Sequence, residues 1–187
     1  MINRELEKKC YTFLLNAYFP NSKESVYRRV GLRAYRDFCR TFHTNEDTKK
    51  LRNNVYIELE TAVSKLLRDQ VVTQETYDLW HWKLSDKLFS MCNALTYGHV
   101  QKWINMTMKY LLVLEPDTFQ YLIPYMHVPI DQHVIICAKQ QFGLKTNFRV
   151  WSQIESYEIY EKYQKSLREQ IQRRGMLPMQ WEFINWK

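Results

Sequence analysis

Residues 98–114 read GHVQKWINMTMKYLLVL, and their apolar side chains recur at the spacing that predicts a buried α-helix. Lys102 and Lys109 are the only formally charged residues in this stretch. Residues four and seven positions apart share one face of a helix, so Lys102, Met106 and Lys109 are predicted to line up. An isolated ammonium group is costly to bury, and the two lysines therefore need a physical explanation.

The two lysines allow two interpretations. In the first, both side chains lie along a half-exposed helix and extend their ammonium groups to water. In the second, burial and a neighbouring positive charge favour the neutral amine, which is the form that attacks carbon to make a Schiff base. This stretch alone leaves both interpretations open.

The rest of the chain predicts further helices. Only four Gly and five Pro occur in 187 residues, which leaves few turn residues for β-hairpins and favours an all-α fold. The predicted helices cover residues 3–18, 22–42, 46–69, 74–95, 98–114, 131–141 and 156–174, with a short last helix starting at Pro178. We expect one unit over residues 1–187, with an N-terminal helical part (1–73) and a second part (74–187).

The chain lacks the usual sequence signals of membrane, secreted and metal-binding proteins. No apolar run approaches the roughly 18 residues of a transmembrane span. The opening residues MINRELEKKC lack the apolar core of a signal peptide, which favours a cytoplasmic location. The cysteines show no spacing typical of zinc or iron–sulfur ligands, so we expect four reduced core thiols: Cys10, Cys39, Cys92 and Cys137. We also expect no metal and no organic cofactor.

The net charge of +7 is concentrated in the first third of the chain. Residues 1–52 hold twelve Lys and Arg against six Asp and Glu, whereas residues 53–187 hold fifteen against fourteen. Four of the arginines form one stripe along a predicted helix: Arg29, Arg33, Arg36 and Arg40. The stripe is either an ordinary solvated face or a phosphate-binding surface, because guanidinium groups match phosphate oxygens.

Two further motifs lie downstream of the lysine helix. The segment HVPIDQHVI, residues 127–135, places Asp131 at the start of the next predicted helix. Near the C-terminus, Pro178 is followed by Glu182 and, four residues later, by Trp186. A lysine pair, a carboxylate and a terminal tryptophan therefore follow one another along the chain.

This order of parts resembles the helix-hairpin-helix DNA glycosylases, and within them the archaeal type of 8-oxoguanine DNA glycosylase. The resemblance covers residues 74–187 and rests on the V-P-[VI]-D segment, the lysine helix after a glycine-containing joint, and the C-terminal Pro–acid–Trp pattern. It implies a helix-hairpin-helix glycosylase fold with its active site in a cleft between helical subdomains. It also implies a monomeric enzyme that excises an oxidised or modified purine, 8-oxoguanine foremost, from double-stranded DNA and then cleaves the strand by β-elimination.

The resemblance implies roles for individual residues. Lys102 would attack the sugar carbon as the base leaves, forming a Schiff base, and Asp131 would stabilise the positive charge on the deoxyribose. Trp186 would stack on the flipped base, and Glu182 would accept hydrogen bonds from its Watson–Crick edge. The predicted base pocket comprises Lys109, Glu182 and Trp186, together with Met106, which helical spacing places on the face of the two lysines.

The predicted contacts with DNA have simpler alternatives. Gly98 and His133 are expected to bind backbone phosphates, together with three residues of the stripe: Arg29, Arg33 and Arg36. His133 could equally be an ordinary surface histidine, and Asp131 alone could be a helix cap. Trp80 and Trp82 would line the other wall of the pocket or pack in the core.

Two other classes of protein also fit the sequence. One is a helical DNA- or RNA-binding module without catalysis, and the other is an interaction protein whose arginine stripe meets an acidic partner. A glycosylase directed against modified phage bases is a variant of the enzyme interpretation. Formation of an imine would separate the enzyme from both alternatives, and salt-dependent binding of nucleic acid would separate those two from each other.

Overall fold

The structure, a computed structural model, describes residues 4–19, 23–69 and 72–186, and every regular element within these ranges is helical. The all-α prediction is confirmed. The described chain forms nine α-helices: α1 (Arg4–Tyr18), α2 (Val26–Phe38), α3 (Thr48–Asp69), α4 (Gln74–Phe89), α5 (Tyr97–Leu114), α6 (Pro116–Phe119), α7 (Gln132–Phe142), α8 (Tyr157–Gln172) and α9 (Pro178–Asn185). Three short 3-10 turns lie between them, at Cys39–Thr41, Gln120–Leu122 and Trp151–Gln153.

Helix α5, the lysine helix, is the centre of the molecule, and every residue from Gly98 to Leu112 is buried. Helix α2 packs across α5 more extensively than any other element, and α4, α8 and the 151–153 turn cover its other sides. The sequence left open whether this helix is buried or half-exposed, and the structure encloses it on all sides. The polar residues of α5 are enclosed with it, and this places both lysines in the interior.

Capping residues define where several helices begin. The side chain of Thr73 caps α4, and that of Thr96 caps α5, each by accepting from the backbone N–H three residues ahead. Asp131 caps α7 in the same way, and Pro178 occupies the first turn of α9. The starts predicted at Thr73, Asp131 and Pro178 are therefore confirmed, and each has the cap chemistry expected of it.

Two predicted helices are shorter in the structure. Helix α4 ends at Phe89, where Met91 donates its N–H to the carbonyl of Leu88 in a tighter turn, and a second turn, from Cys92 to Leu95, leads into α5. Helix α2 begins at Val26, capped by Ser25, whereas the predicted start at residue 22 lies outside the described residues. It ends at Phe38, and a 3-10 turn carries the chain from there to Phe42. In both places a tight turn replaces the last predicted turns of helix. The apolar residues that follow, Phe42 and Leu95, are nevertheless buried in the core.

Gly98 lies in the first turn of α5 and does not have a positive φ, so the backbone angle that glycine tolerates better than other residues is not the reason for a glycine at this joint. A Cβ atom at this position would lie 2.0 Å from the carbonyl oxygen of Trp151. Thr96 Oγ1 also donates to the carbonyl of Ser152, at 2.7 Å. A glycine is required here because the 151–153 turn lies directly on the start of α5.

The buried apolar side chains form one continuous core that extends from Phe19 to Trp181. Cys92 and Cys137 are buried, as predicted. Cys10 is exposed on α1 and Cys39 is partly exposed, so the prediction of a core thiol is wrong for Cys10 and is not confirmed for Cys39. None of the helices in the described ranges is long and apolar enough to cross a membrane.

Helix α1 is joined to the rest of the molecule near its C-terminal end. No residue of Arg4–Tyr18 is buried, and Tyr11 and Leu14 are exposed. Phe19, directly after the helix, is buried and packs edge-on against the ring of Tyr110. Helix α1 therefore borders a surface groove and contributes little to the core.

Candidate active site

Lys102 on α5 and Asp131 at the start of α7 form a close ion pair. The ammonium nitrogen lies 2.6 Å from Oδ2 of Asp131. The Lys102 side chain is 3% exposed, whereas that of Asp131 is 20% exposed. The structure thus brings together the two residues predicted to be catalytic, although they stand 29 positions apart in the chain.

The Asp131 carboxylate is held in place by the backbone of α7. Its Oδ1 accepts the N–H of Val134 at 2.9 Å, while Oδ2 faces Lys102. The partial positive charge of a helix N-terminus favours a carboxylate at this position. Capping and pairing with the lysine therefore use different oxygens of one side chain, and the two interpretations of Asp131 are compatible.

A second lysine–carboxylate pair lies further along α5. Lys109 Nζ is 2.7 Å from Oε1 and 2.6 Å from Oε2 of Glu182, on α9. Both side chains are buried. The ring of Trp186 lies over this ammonium group, with its centroid 3.7 Å away, and the Phe183 centroid is at 4.7 Å. Three of the four residues predicted for the base pocket therefore meet at one place: Lys109, Glu182 and Trp186.

The pKa shifts of the second pair reflect its burial. Loss of solvent lowers the pKa of Lys109, and the attraction of Glu182 opposes that change. Loss of solvent also raises the pKa of Glu182, against the attraction of Lys109. Lys102 and Asp131 exert weaker Coulomb effects on both groups, so the two pairs lie close enough to influence each other.

Neither lysine reaches bulk water, since Lys102 is 3% and Lys109 is 4% exposed. The interpretation in which both ammonium groups extend from a half-exposed helix is therefore wrong. Each lysine is paired with a carboxylate from another helix, which is the arrangement expected when a charge must be buried.

A surface groove of about 350 Å³ opens beside the second pair. Lys109, Phe183 and Trp186 line one side of it. Helix α1 supplies the opposite side, through residues that include Tyr11 and Leu14. The groove is mainly apolar and aromatic and has one buried ion pair at its edge, which are common properties of small-molecule binding sites.

Met106 does not belong to this groove. The side chain is fully buried in the core, on the stretch of α5 between the two lysines. Helical spacing alone placed it with Lys102 and Lys109, but α5 is covered by other elements on every side. Its prediction as a base-pocket residue is therefore not supported.

Asp37 is a neighbour of the site that the sequence did not reveal. Asp37 accepts a hydrogen bond of 2.6 Å from the hydroxyl of Tyr110, and it forms an ion pair with Arg33 at 3.0 Å. Burial raises the pKa of Asp37. The hydrogen bond from Tyr110 and the positive charges of Arg33 and the two α5 lysines act in the opposite direction. The only sequence signal was the i, i+4 spacing of Arg33 and Asp37 on α2.

The arginine stripe is partly drawn into the molecule. Three of its members line a recess of about 140 Å³: Arg29, Arg33 and Arg36. Arg33 donates to the Tyr18 hydroxyl, and its guanidinium group lies 4.2 Å from the centroid of that ring. Tyr18 borders the apolar groove as well, so the recess and the groove meet at the end of α1. The DNA-binding role of the stripe stays a prediction.

His133 and the tryptophans of α4 have structural partners. His133 Nε2 lies 2.6 Å from the carbonyl oxygen of Asn185, an arrangement in which it donates and ties α7 to α9. Trp80 donates to the carbonyl of Ala62 on α3. Trp82 is exposed and lines a different groove between α4 and α8, so neither tryptophan lines the lysine site. Phosphate binding by His133 and Gly98 stays a prediction.

No family model, curated protein or solved structure matches this chain. Within residues 4–19, 23–69 and 72–186, no group of three or more His, Cys, Asp or Glu side chains is arranged to hold a metal ion.

Proposed function

We propose that this protein is a helix-hairpin-helix DNA glycosylase with AP lyase activity, which acts on an oxidised or modified purine in duplex DNA. The observation that carries the proposal is the 2.6 Å contact between Lys102 and Asp131. A primary amine and a carboxylate from distant parts of the chain meet there, next to an aromatic groove. These are the parts that base excision through an imine requires.

The proposed reaction uses Lys102 as the nucleophile. Its nitrogen transfers a proton, attacks C1′ of the deoxyribose, and the electron pair of the glycosidic bond leaves with the base. Asp131 is the adjacent carboxylate: while ionised it stabilises the positive charge that develops on the sugar, and it then accepts the proton that Lys102 gives up as its nitrogen bonds to C1′. The C1′–O4′ bond of this aminal then breaks and O4′ takes up a proton, which leaves a protonated imine at C1′. Loss of a proton from C2′ then forms the C2′–C3′ double bond, and the C3′–O bond breaks as its electron pair leaves with the 3′ phosphate.

The apolar groove is the proposed base pocket. A damaged base must leave the duplex stack to be cut, and its ring then needs an aromatic surface. Trp186 is partly exposed at the groove and offers one ring face to such a base. Glu182 is a buried acceptor beneath it, suited to the N–H groups on the Watson–Crick edge of a purine.

The charge distribution supports DNA as the partner. The excess of Lys and Arg over residues 1–52 coincides with the part of the chain that carries the arginine recess. Because that recess adjoins the groove at Tyr18, a phosphodiester bound there would lie beside a base in the groove. Guanidinium groups suit phosphate oxygens, and net positive charge attracts duplex DNA.

Borohydride trapping on a panel of duplexes with different modified purines tests the proposal. Wild-type protein should form a covalent protein–DNA adduct on at least one duplex, and Lys102→Gln should bind that duplex without forming the adduct. Lys109→Gln is the matched control, because it also removes an amine from α5 and should leave an adduct that forms more slowly. An adduct that persists in Lys102→Gln would assign the nucleophile elsewhere.

A duplex-binding module without catalysis is the second candidate. It is favoured by the nearly complete burial of Lys102, since a buried ion pair can be purely structural. This candidate predicts salt-dependent retention of duplex DNA by the wild-type protein and no adduct with any duplex of the panel.

A further inference from the structure

Gln101, next to Lys102 on α5, binds both the N–H and the carbonyl group of a single residue, Ile130. Its Nε2 donates to the carbonyl of Ile130 at 2.7 Å, and its Oε1 accepts the N–H of Ile130 at 3.0 Å. Nε2 also lies 3.0 Å from the carbonyl of Gly98. The Gln101 side chain is buried, so these bonds do not compete with solvent. A side-chain amide thus pairs with Ile130 as a neighbouring strand would.

The orientation of this amide is set by a chain of buried polar groups. Asn105 donates to Gln101 Oε1 at 3.1 Å and to the hydroxyl of Tyr160 at 2.9 Å. Its own carbonyl faces His81 Nε2 at 3.0 Å, a geometry in which the histidine donates. Burial lowers the pKa of His81 well below its ordinary value, which keeps the ring neutral with one donor and one acceptor nitrogen. The amide of Gln101 can therefore face Ile130 in only one way.

Ile130 is the residue directly before Asp131, and Gln101 is the residue directly before Lys102. Fixing both backbone groups of Ile130 fixes where the chain enters α7, and with it the direction of the Asp131 side chain. We propose that Gln101 is a positioning residue that sets the distance between Lys102 and Asp131 by binding both backbone groups of Ile130. This inference rests on the proposed function, because the pair that it positions is the proposed reacting pair.

Gln101→Met tests the proposal, since methionine keeps the length and volume of the side chain and removes its hydrogen bonds. Gln164→Met is the matched control. Gln164 is also buried, and it donates to the carbonyl of Val128, two residues before Ile130. Both variants lose a buried glutamine that holds the same segment, but only Gln101 contacts the residue next to Asp131.

Two measurements on these variants separate positioning from general loss of structure. The first is hydrogen exchange of the Val134 amide, whose N–H is bound by Asp131 and not by Gln101. It should exchange faster in Gln101→Met than in Gln164→Met. The second is the single-turnover rate of adduct formation at saturating duplex. It should fall by about tenfold to a hundredfold in Gln101→Met, as expected for a reacting group misplaced by about 1 Å, with duplex affinity unchanged.

Gln101→Glu adds a readout that depends on pH. A protonated carboxyl can donate to the Ile130 carbonyl as the amide does, whereas an ionised one would repel that carbonyl. The adduct-forming rate of this variant, divided by the wild-type rate at each pH, should therefore rise as the pH falls.

The outcomes are distinguishable. Faster Val134 exchange in Gln101→Met, with a reduced rate of adduct formation, supports the proposal. Wild-type exchange at Val134 in Gln101→Met overturns it, whatever the activity, and so does a wild-type rate of adduct formation. If the wild-type protein forms no adduct with any duplex, the proposed function fails. In that case the exchange measurement still decides whether Gln101 positions Asp131.

Discussion

The two lysine–carboxylate pairs of α5 contain the same chemical groups but are held in different ways. Asp131 is fixed to the backbone of α7 by its cap, and its side chain keeps 20% exposure. Both oxygens of Glu182 face Lys109, and Phe183 and Trp186 cover that ammonium group. The first carboxylate is anchored by the backbone, and the second is anchored mainly by its lysine.

This difference bears on what each pair can do. If Lys102 leaves its pair to bond with a substrate, the α7 cap still holds Asp131 in position. If Lys109 were to leave, Glu182 would lose its cation inside the protein. The second pair is therefore suited to remain intact and present a fixed polar edge to a ligand. Fully buried pairs of this kind often stabilise a fold less than apolar side chains of equal size would.

The largest expected effect comes from breaking the second pair on one side. Glu182→Leu should lower the free energy of unfolding by about 3–5 kcal/mol, because it leaves the Lys109 ammonium buried without a partner. The double variant Lys109→Met, Glu182→Leu should recover most of that loss, since it removes both charges. Denaturant unfolding of the three proteins measures the difference. A double variant as unstable as the single one would show that the pair itself stabilises the fold.

Trp186→Ala should weaken binding of a lesion-containing duplex by roughly 1–3 kcal/mol, the range found for other stacked bases. Binding of an undamaged duplex should change little, because its bases stay stacked. Trp82→Ala is the control, since Trp82 is a similarly exposed tryptophan in a different groove. Equilibrium titration with the lesion-containing and the undamaged duplex checks this. If Trp186→Ala loses the same affinity for both duplexes, Trp186 does not belong to the base pocket.

The first pair can be tested through its anchor. Asp131→Asn and Asp131→Ala both remove the charge that faces Lys102, but asparagine still caps α7. The alanine variant should therefore be less stable than the asparagine variant by about 1 kcal/mol, a typical value for loss of a cap. Both variants should lose most base excision. Full activity in a folded Asp131→Asn protein would leave Asp131 with capping as its role.

The smallest expected effect is a difference in pH dependence. Between the ordinary pKa of a glutamate and the raised pKa of Glu182, the folded protein binds more protons than the unfolded chain, so stability falls as pH rises. Between the lowered pKa of Lys109 and the ordinary pKa of a lysine, the unfolded chain binds more, so stability rises with pH. The apolar double variant lacks both effects. Its stability relative to wild type should peak at intermediate pH, and a flat difference in unfolding titrations would contradict these shifts.

The local features of the fold could be predicted from the sequence. Thr73, Asp131 and Pro178 lie at helix starts because cap residues act on backbone groups only a few positions away. The spacing of apolar side chains placed a helix over 98–114, one residue short of its observed start at Tyr97. Such features depend on residues close together in the chain, so they can be predicted without knowledge of the tertiary structure.

The tertiary features of the candidate site could not be found from local patterns. The ion pair of Lys109 with Glu182 joins residues 73 positions apart. The resemblance to a glycosylase family placed both in one pocket, but periodicity gave no sign of it. Periodicity also misplaced Met106, because it reports which residues share a face and not what covers that face. The two hydrogen bonds between the Gln101 side chain and the Ile130 backbone were not predicted, because no sequence pattern distinguishes a buried glutamine from an exposed one.

Gly98 has a consequence for how this sequence can change over time. The atom that would meet a Cβ at this position is a backbone oxygen of Trp151, so no choice of side-chain rotamer there could make room. Any larger residue at position 98 must be accompanied by a different path of the chain between α7 and α8. Sequence changes at the start of the lysine helix and in the connection between α7 and α8 are therefore expected to occur together. An insertion in that connection is the change that would permit a substitution at Gly98.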